Sequence, residues 1–148
     1  MKVYPFKPII PDLRYIKEVP IVSFATYTKK EIAEQKKKYS RSFLHIINPA
    51  DLGGEQRHTV EYYQNVFQKY NEFFAKGIFV KKEQSSLIII KKKIYEEEYV
   101  LLTGISPVSE LIEGRIMPHE ETDKERERRL ATYLNYCDLN AEPIIVFH

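Results

Sequence analysis

The sequence predicts an α+β fold, a mainly antiparallel sheet with at least three helices packed on it, and three observations carry that reading. Val60, Tyr63, Phe67, Tyr70 and Phe74 recur at spacings of 3, 4, 3 and 4 residues, which is one helical face. Thr28 with Glu31, and Thr122 with Glu125, have the spacing of a capping box ahead of helical runs. Three short β-rich runs, at 78–80, 87–92 and 99–105, follow the aromatic helix as a meander.

Composition sets the frame. The chain has 148 residues, with 23 Lys+Arg against 21 Asp+Glu, 43% apolar side chains and 30% charged ones. That suits one globular domain over residues 1–148, neither apolar enough for a membrane protein nor polar enough for disorder. The net charge of +2 gives no global pull toward nucleic acid or acidic lipid, so nucleic-acid binding through Lys36–Lys38 and Arg126–Arg129 is the least favoured function. The longest aliphatic run, Leu87–Ile90, is far below the roughly 20 residues of a membrane span. The lone Cys137 and the prolines of the first ten residues argue against a secreted, disulfide-bonded protein, and a cytoplasmic location is expected.

Taken in order, residues 1–20 carry Pro5, Pro8, Pro11 and Pro20 and should run extended, pinned by Val3, Phe6, Ile9 and Ile10. A helix follows from Thr28 to about Tyr39, with Ile32 and Ala33 inward and Lys36–Lys38 complementing its carbonyl end. Ser42–Ile47 reads as a strand closed by Asn48-Pro49, placing His45 on one face with Phe43 and Ile47. Gly53-Gly54 marks a loop, and Gly77 stops the aromatic helix. The second and third strands form a hairpin that turns near Tyr95–Glu97, with Lys91–Lys93 facing Glu96–Glu98. Pro107–Glu113 gives one or two helical turns ended by Gly114. From Asp123, a last helix buries Leu130, Tyr133, Leu134 and Cys137 and exposes Lys124, Arg126, Arg128 and Arg129.

Chemistry concentrates at the entry to that helix. His119, able to pass protons near neutral pH, and Glu120, able to orient it or act as base, are the candidate catalytic pair. The free amides of the helix start offer a cradle for phosphate, to which Thr122, Arg115 and Arg126 add ligands. His45 joins as a ligand-binding candidate, although its place in an apolar run reads more simply as a core histidine. Residues 119–123 approximate the H-E-x-x-H zinc pattern, but Pro118 and the cap put His119 ahead of the helix, so no metal site is expected. No pattern names a cofactor. A separate reading is a non-catalytic module that docks another chain through an edge strand or its tyrosine-rich surface, eleven tyrosines in all.

The ordered segments Pro5-Phe6-Lys7, Ser42-Phe43-Leu44-His45, Gly77-Ile78, Gly104, His119-Glu120-Glu121-Thr122 and Asn140-Ala141 before Pro143 resemble a bacterial family. It is the amino-terminal part of the family numbered 1015 among domains of unknown function. The resemblance implies a longer protein whose downstream Asp-Gly-His-His-Arg segment is similar to the ParB and sulfiredoxin group, some of which phosphorylate serine. It therefore implies a nucleotide or phosphate ligand, phosphoryl transfer with Mg²⁺, and a site completed by a downstream domain or by self-association. This sequence has no Asp-Gly-His-His-Arg, and Pro20-Ile21-Val22 stands where relatives carry Pro-Tyr-Asp.

Overall fold

The structure, a computed structural model, describes residues 1–20, 27–49, 59–117 and 123–141. It is α+β, and its antiparallel pairing is divided between two two-stranded sheets. The chain forms two compact units: Ile10–Val80 with Asp123–Asn140, and Met1–Ile9 with Lys81–Thr122 and Ala141–His148.

Among the described residues the first, helical unit has the α-helices α1 (Lys29–Lys38), α2 (Leu44–Ile47), α3 (Val60–Ala75) and α5 (Lys124–Cys137), preceded by a 3-10 turn at Leu13–Tyr15. The capping box of α1 forms as expected: Thr28 Oγ1 accepts from the Glu31 amide at 3.2 Å, and Glu31 Oε2 accepts from the Thr28 amide at 2.7 Å. Ile32 is buried, but Ala33 faces outward. α3 is capped by Thr59, whose hydroxyl accepts from the Tyr62 amide. It ends in a Schellman arrangement, with Gly77 at φ 66°, the Ile78 amide donating to Phe73 and the Gly77 amide to Phe74. Strand β1 (Ile9–Pro11) pairs with β2 (Phe79–Lys81), and the Asp12 amide donates to Ile78 at 2.9 Å.

Two expectations change here. Ser42–Ile47 is not a strand. Phe43 O accepts from the Ile46 and Ile47 amides and Ser42 Oγ from the Leu44 amide, while the Phe43 amide donates to Val19 O and the Ser42 amide to Tyr39 O, so the segment closes as one helical turn without a strand ladder. The buried face of α3 is also rotated from the expected stripe. Tyr62, Tyr63, Val66 and Phe73 are buried, whereas Val60, Phe67 and Phe74 are 40–43% exposed. Both rows keep helical spacing, and it is packing against α2 and α5 that selects between them. On α5 the core contact is made by Cys137 and Tyr133, while Leu130 and Leu134 stay exposed.

Among the described residues the apolar core lies in this unit. Val19, Ile46, Tyr62, Tyr63, Val66, Phe73, Ile78, Phe79 and Cys137 form one cluster. The rings of Tyr63 and Tyr133 meet edge to face at 5.8 Å and join α3 to α5, and Cys137 Sγ lies 3.5 Å from Tyr63 O, to which it donates.

The second, hairpin unit is built on β3 (Ile88–Ile94) and β4 (Glu97–Thr103), in antiparallel register with Ile88 opposite Thr103 and Ile94 opposite Glu97. Tyr95 and Glu96 make the two-residue turn, with Tyr95 at φ 54°. The amino-terminal segment crosses the open end of the hairpin, Tyr4 bridging to Ile105 and Phe6 to Ser86. It can do so because Gly104 lacks a side chain: a Cβ there would stand 2.5 Å from Val3 Cγ1 and 2.8 Å from Tyr4 O. The short helix α4 (Ser109–Ile112) closes at Gly114, φ 72°.

Candidate functional site

His119, Glu120 and Thr122 lie outside the described residues. The start of α5 is described from Asp123, which caps the helix by accepting from the Glu125 amide at 2.8 Å, where Thr122 was the expected cap. Glu125 pairs with Arg129 one turn on. Arg126, in the first turn, is exposed and has no ion-pair partner among the described residues.

Arg115 belongs to the hairpin unit and His45 and Arg126 to the helical unit. Arg115 is held by two carboxylates of its own unit, with Nη2 2.9 Å from Glu110 Oε1 and Nη1 on Glu113. Glu110 is 1% exposed, a buried carboxylate that also accepts from the Lys2 amide at 3.1 Å. The Arg115 hydrogen bond holds its pKa below the ordinary carboxylate value against the opposing effect of burial, and Glu110 in turn raises that of Arg115. Arg115 thus already neutralises a buried charge, and any phosphate would compete with Glu110 and Glu113 for it.

His45 is half-buried on α2. Its Nε2 lies 3.0 Å from Tyr39 O and 3.2 Å from Lys36 O, so the protonated nitrogen donates to the carbonyl end of α1. Its ring is 6.4 Å from that of Phe73. In this geometry the imidazole closes a helix end against the core. Within the helical unit no hydrogen bond or ion pair joins His45 to Arg126, and among the described residues no group of three or more His, Cys, Asp or Glu could hold a metal ion. Cys137 is buried, and loss of solvation pushes its thiol up to about 11, so it is no nucleophile at neutral pH.

What the sequence reading missed is a surface. On one face of the hairpin, Ile89, Val100 and Leu102 are 66, 64 and 59% exposed. The same face carries Lys91, Lys93 and Glu98, with Lys91 3.7 Å from Glu98. In the adjoining segment Val108, Ile112 and Met117 are exposed by 72, 79 and 82%. The available signal was the block order of β3 and β4, Ile88–Ile90 before Lys91–Lys93 and Glu97-Glu98 before Tyr99–Leu102, which puts apolar side chains on both faces of the hairpin where a half-buried sheet would alternate. No described residue of this unit other than Pro8 and Glu110 is buried.

Among the described residues no helix is long and apolar enough to cross a membrane. No curated protein and no solved structure matches the chain. The family described as "Protein of unknown function (DUF1015)" matches residues 3–148, so the chain belongs to that family.

Proposed function

We propose that this chain is a cytoplasmic interaction module that presents its β3–β4 hairpin to another polypeptide. The observation that carries the reading is the aliphatic triplet Ile89, Val100 and Leu102, exposed together on a face of a hairpin whose unit buries no large apolar side chain among its described residues. A two-stranded hairpin gains little by itself in water and needs a surface to pack on. The test is a photo-crosslinking residue at Leu102, with one at Lys30 as control, the Lys30 side chain being 87% exposed on α1. In cells, position 102 is expected to form an adduct with a second polypeptide that Val100→Lys abolishes, and position 30 none. Equal labelling at both positions, or none at 102, would refute the module.

A second reading is favoured by Arg126, which stands exposed in the first turn of α5 and free of ion pairs among the described residues. In this reading His119 or Glu120 receives the proton of a hydroxyl, while Arg126, Thr122 and the helix amides hold phosphate. A downstream segment or a partner completes it, and Mg²⁺ would arrive on the nucleotide's phosphates, where it would neutralise charge during transfer. Isothermal titration with ATP, ADP, CTP and phosphate tests it. Binding that Arg126→Ala weakens supports the site; absence of heat with this chain and with one extended through Asp-Gly-His-His-Arg removes it.

A further inference from the structure

We infer that the hairpin face pairs with the same face of a second copy of this chain, about a two-fold axis parallel to the strands. The inference rests on the module reading above and names its occupant. The warrant is the order of side chains along the face. Register sets them in three rows: Ile89 beside Leu102 at the base, Lys91 beside Val100 in the middle, and Lys93 beside Glu98 next to the turn.

Two such faces can be brought together by a two-fold axis along the strands or by one across them. The axis along the strands lays β3 of one copy over β4 of the other, base on base and turn on turn. Ile89 then faces the partner's Leu102, the aliphatic stem of Lys91 covers the partner's Val100, and Lys93 meets the partner's Glu98. Every row finds its complement, and each contact occurs twice. The axis across the strands sets Lys91 over the partner's Lys91, like charge on like charge in the middle row, and Leu102 over the partner's Glu98, whose short carboxylate is stripped of water against aliphatic surface. The chemistry of the face selects the first arrangement. Its base is extended by Val3, seated where Gly104 leaves room, and the Lys–Glu pairs at the turn end specify orientation more than they add affinity.

Because the three side chains on which the dimer depends are exposed, they can be changed without touching the core. Sedimentation of the full chain over 1 to 100 µM (working concentrations of about this order suit a small, weak interface) is expected to show a species of twice the 17.6 kDa chain mass. Val100→Lys is expected to raise the dissociation constant at least about tenfold, since the lost burial counts twice, with an unchanged far-ultraviolet spectrum. Lys93→Glu alone sets Glu against Glu twice, Glu98→Lys alone sets Lys against Lys twice, and each is expected to weaken self-association about tenfold. An equimolar mixture of the two restores opposite charges across the interface only, because within each variant's own hairpin the like charges remain. Recovery of the dimer in that mixture supports the proposal. A mixture no tighter than its components, a dimer indifferent to Val100→Lys, or a wild-type chain monomeric at every concentration overturns it. If the chain is monomeric yet a crosslinker at Leu102 captures a different polypeptide, the second copy falls and the module reading stands.

Discussion

Replacing Gly104 with alanine should unpin the amino-terminal segment from the hairpin. The added Cβ would stand 2.5 Å from Val3 Cγ1, 2.8 Å from Leu87 Cδ2 and 2.8 Å from Tyr4 O. Leu87 Cδ2 ends a side chain that can swing aside at modest cost, and Val3, branched at Cβ, can turn away only by changing χ1. Tyr4 O cannot move independently, because it accepts from the Ile105 amide at 3.0 Å while the Tyr4 amide donates to Ile105 O at 2.8 Å. Relieving the clash therefore means giving up that pair of hydrogen bonds, about 1 kcal/mol each, with up to about 1 kcal/mol more for displaced side chains. A local loss of about 2–3 kcal/mol corresponds to amide exchange roughly 30- to 150-fold faster. The assay is native-state hydrogen exchange at Tyr4 and Ile105, with the Tyr63 and Phe73 amides in α3 as internal controls. Adding Val3→Ala should recover only a minority of the loss, since the carbonyl remains in the way. Exchange at Ile105 within a factor of about two of wild type would refute the reasoning, as would full rescue by Val3→Ala.

Three other changes have defined outcomes. Arg115→Ala strips the hydrogen bond that depresses the pKa of buried Glu110; a carboxylate so depressed contributes stability that is complete above the ordinary carboxylate range and lost as pH falls through its lowered value. The difference in urea resistance between wild type and Arg115→Ala should thus be widest near neutral pH and close on acidification, and a gap that widens in acid would contradict it. Thr28→Ala removes the acceptor for the Glu31 amide and should destabilise α1 by about 1 kcal/mol, measured by exchange of the Glu31 and Ile32 amides. Cys137, buried and with its thiol pushed up to about 11, should resist alkylation at pH 8 in the native protein and react promptly in urea, so rapid native labelling would show that the α3–α5 contact opens.

Local signals were the legible part of the fold. Thr28 and Glu31 announced α1, Gly77 the end of α3, and the Lys and Glu runs the hairpin, because each acts on backbone or charge within a few residues. Non-local choices were hidden. Ser42–Ile47 has the composition of a strand, yet its hydroxyl and carbonyls close a helical turn beneath the end of α1, where His45 donates to Tyr39 and Lys36. Two apolar rows share the helical period on α3, and nothing within the helix says which one α2 and α5 will cover. At the candidate site, Arg126 stands where helical spacing put it, on the exposed side of α5. The engagement of Arg115 by Glu110 was invisible for another reason. An Arg five residues after a Glu is unremarkable until α4 and Gly114 fold the chain back between them.

The uneven distribution of burial links the fold to the proposed function. Among the described residues of the helical unit, eleven apolar side chains are withdrawn from water, each worth roughly 1.5–3 kcal/mol against the cost of ordering the chain. The hairpin unit has no such cluster among its described residues. It relies instead on ladder and bridge hydrogen bonds, on the flat seat at Gly104 and on a buried carboxylate, and a buried ion pair stabilises little beyond offsetting its own desolvation. Exposed Ile89, Val100 and Leu102 therefore represent stabilisation that the hairpin's own described residues do not recover. A partner that covers that face would supply it, so association should raise the protection of the β3 and β4 amides while leaving the α3 amides almost unchanged. Dilution through the dissociation constant would then deprotect the hairpin first, which is the order of opening expected when a unit takes its apolar burial from a second chain.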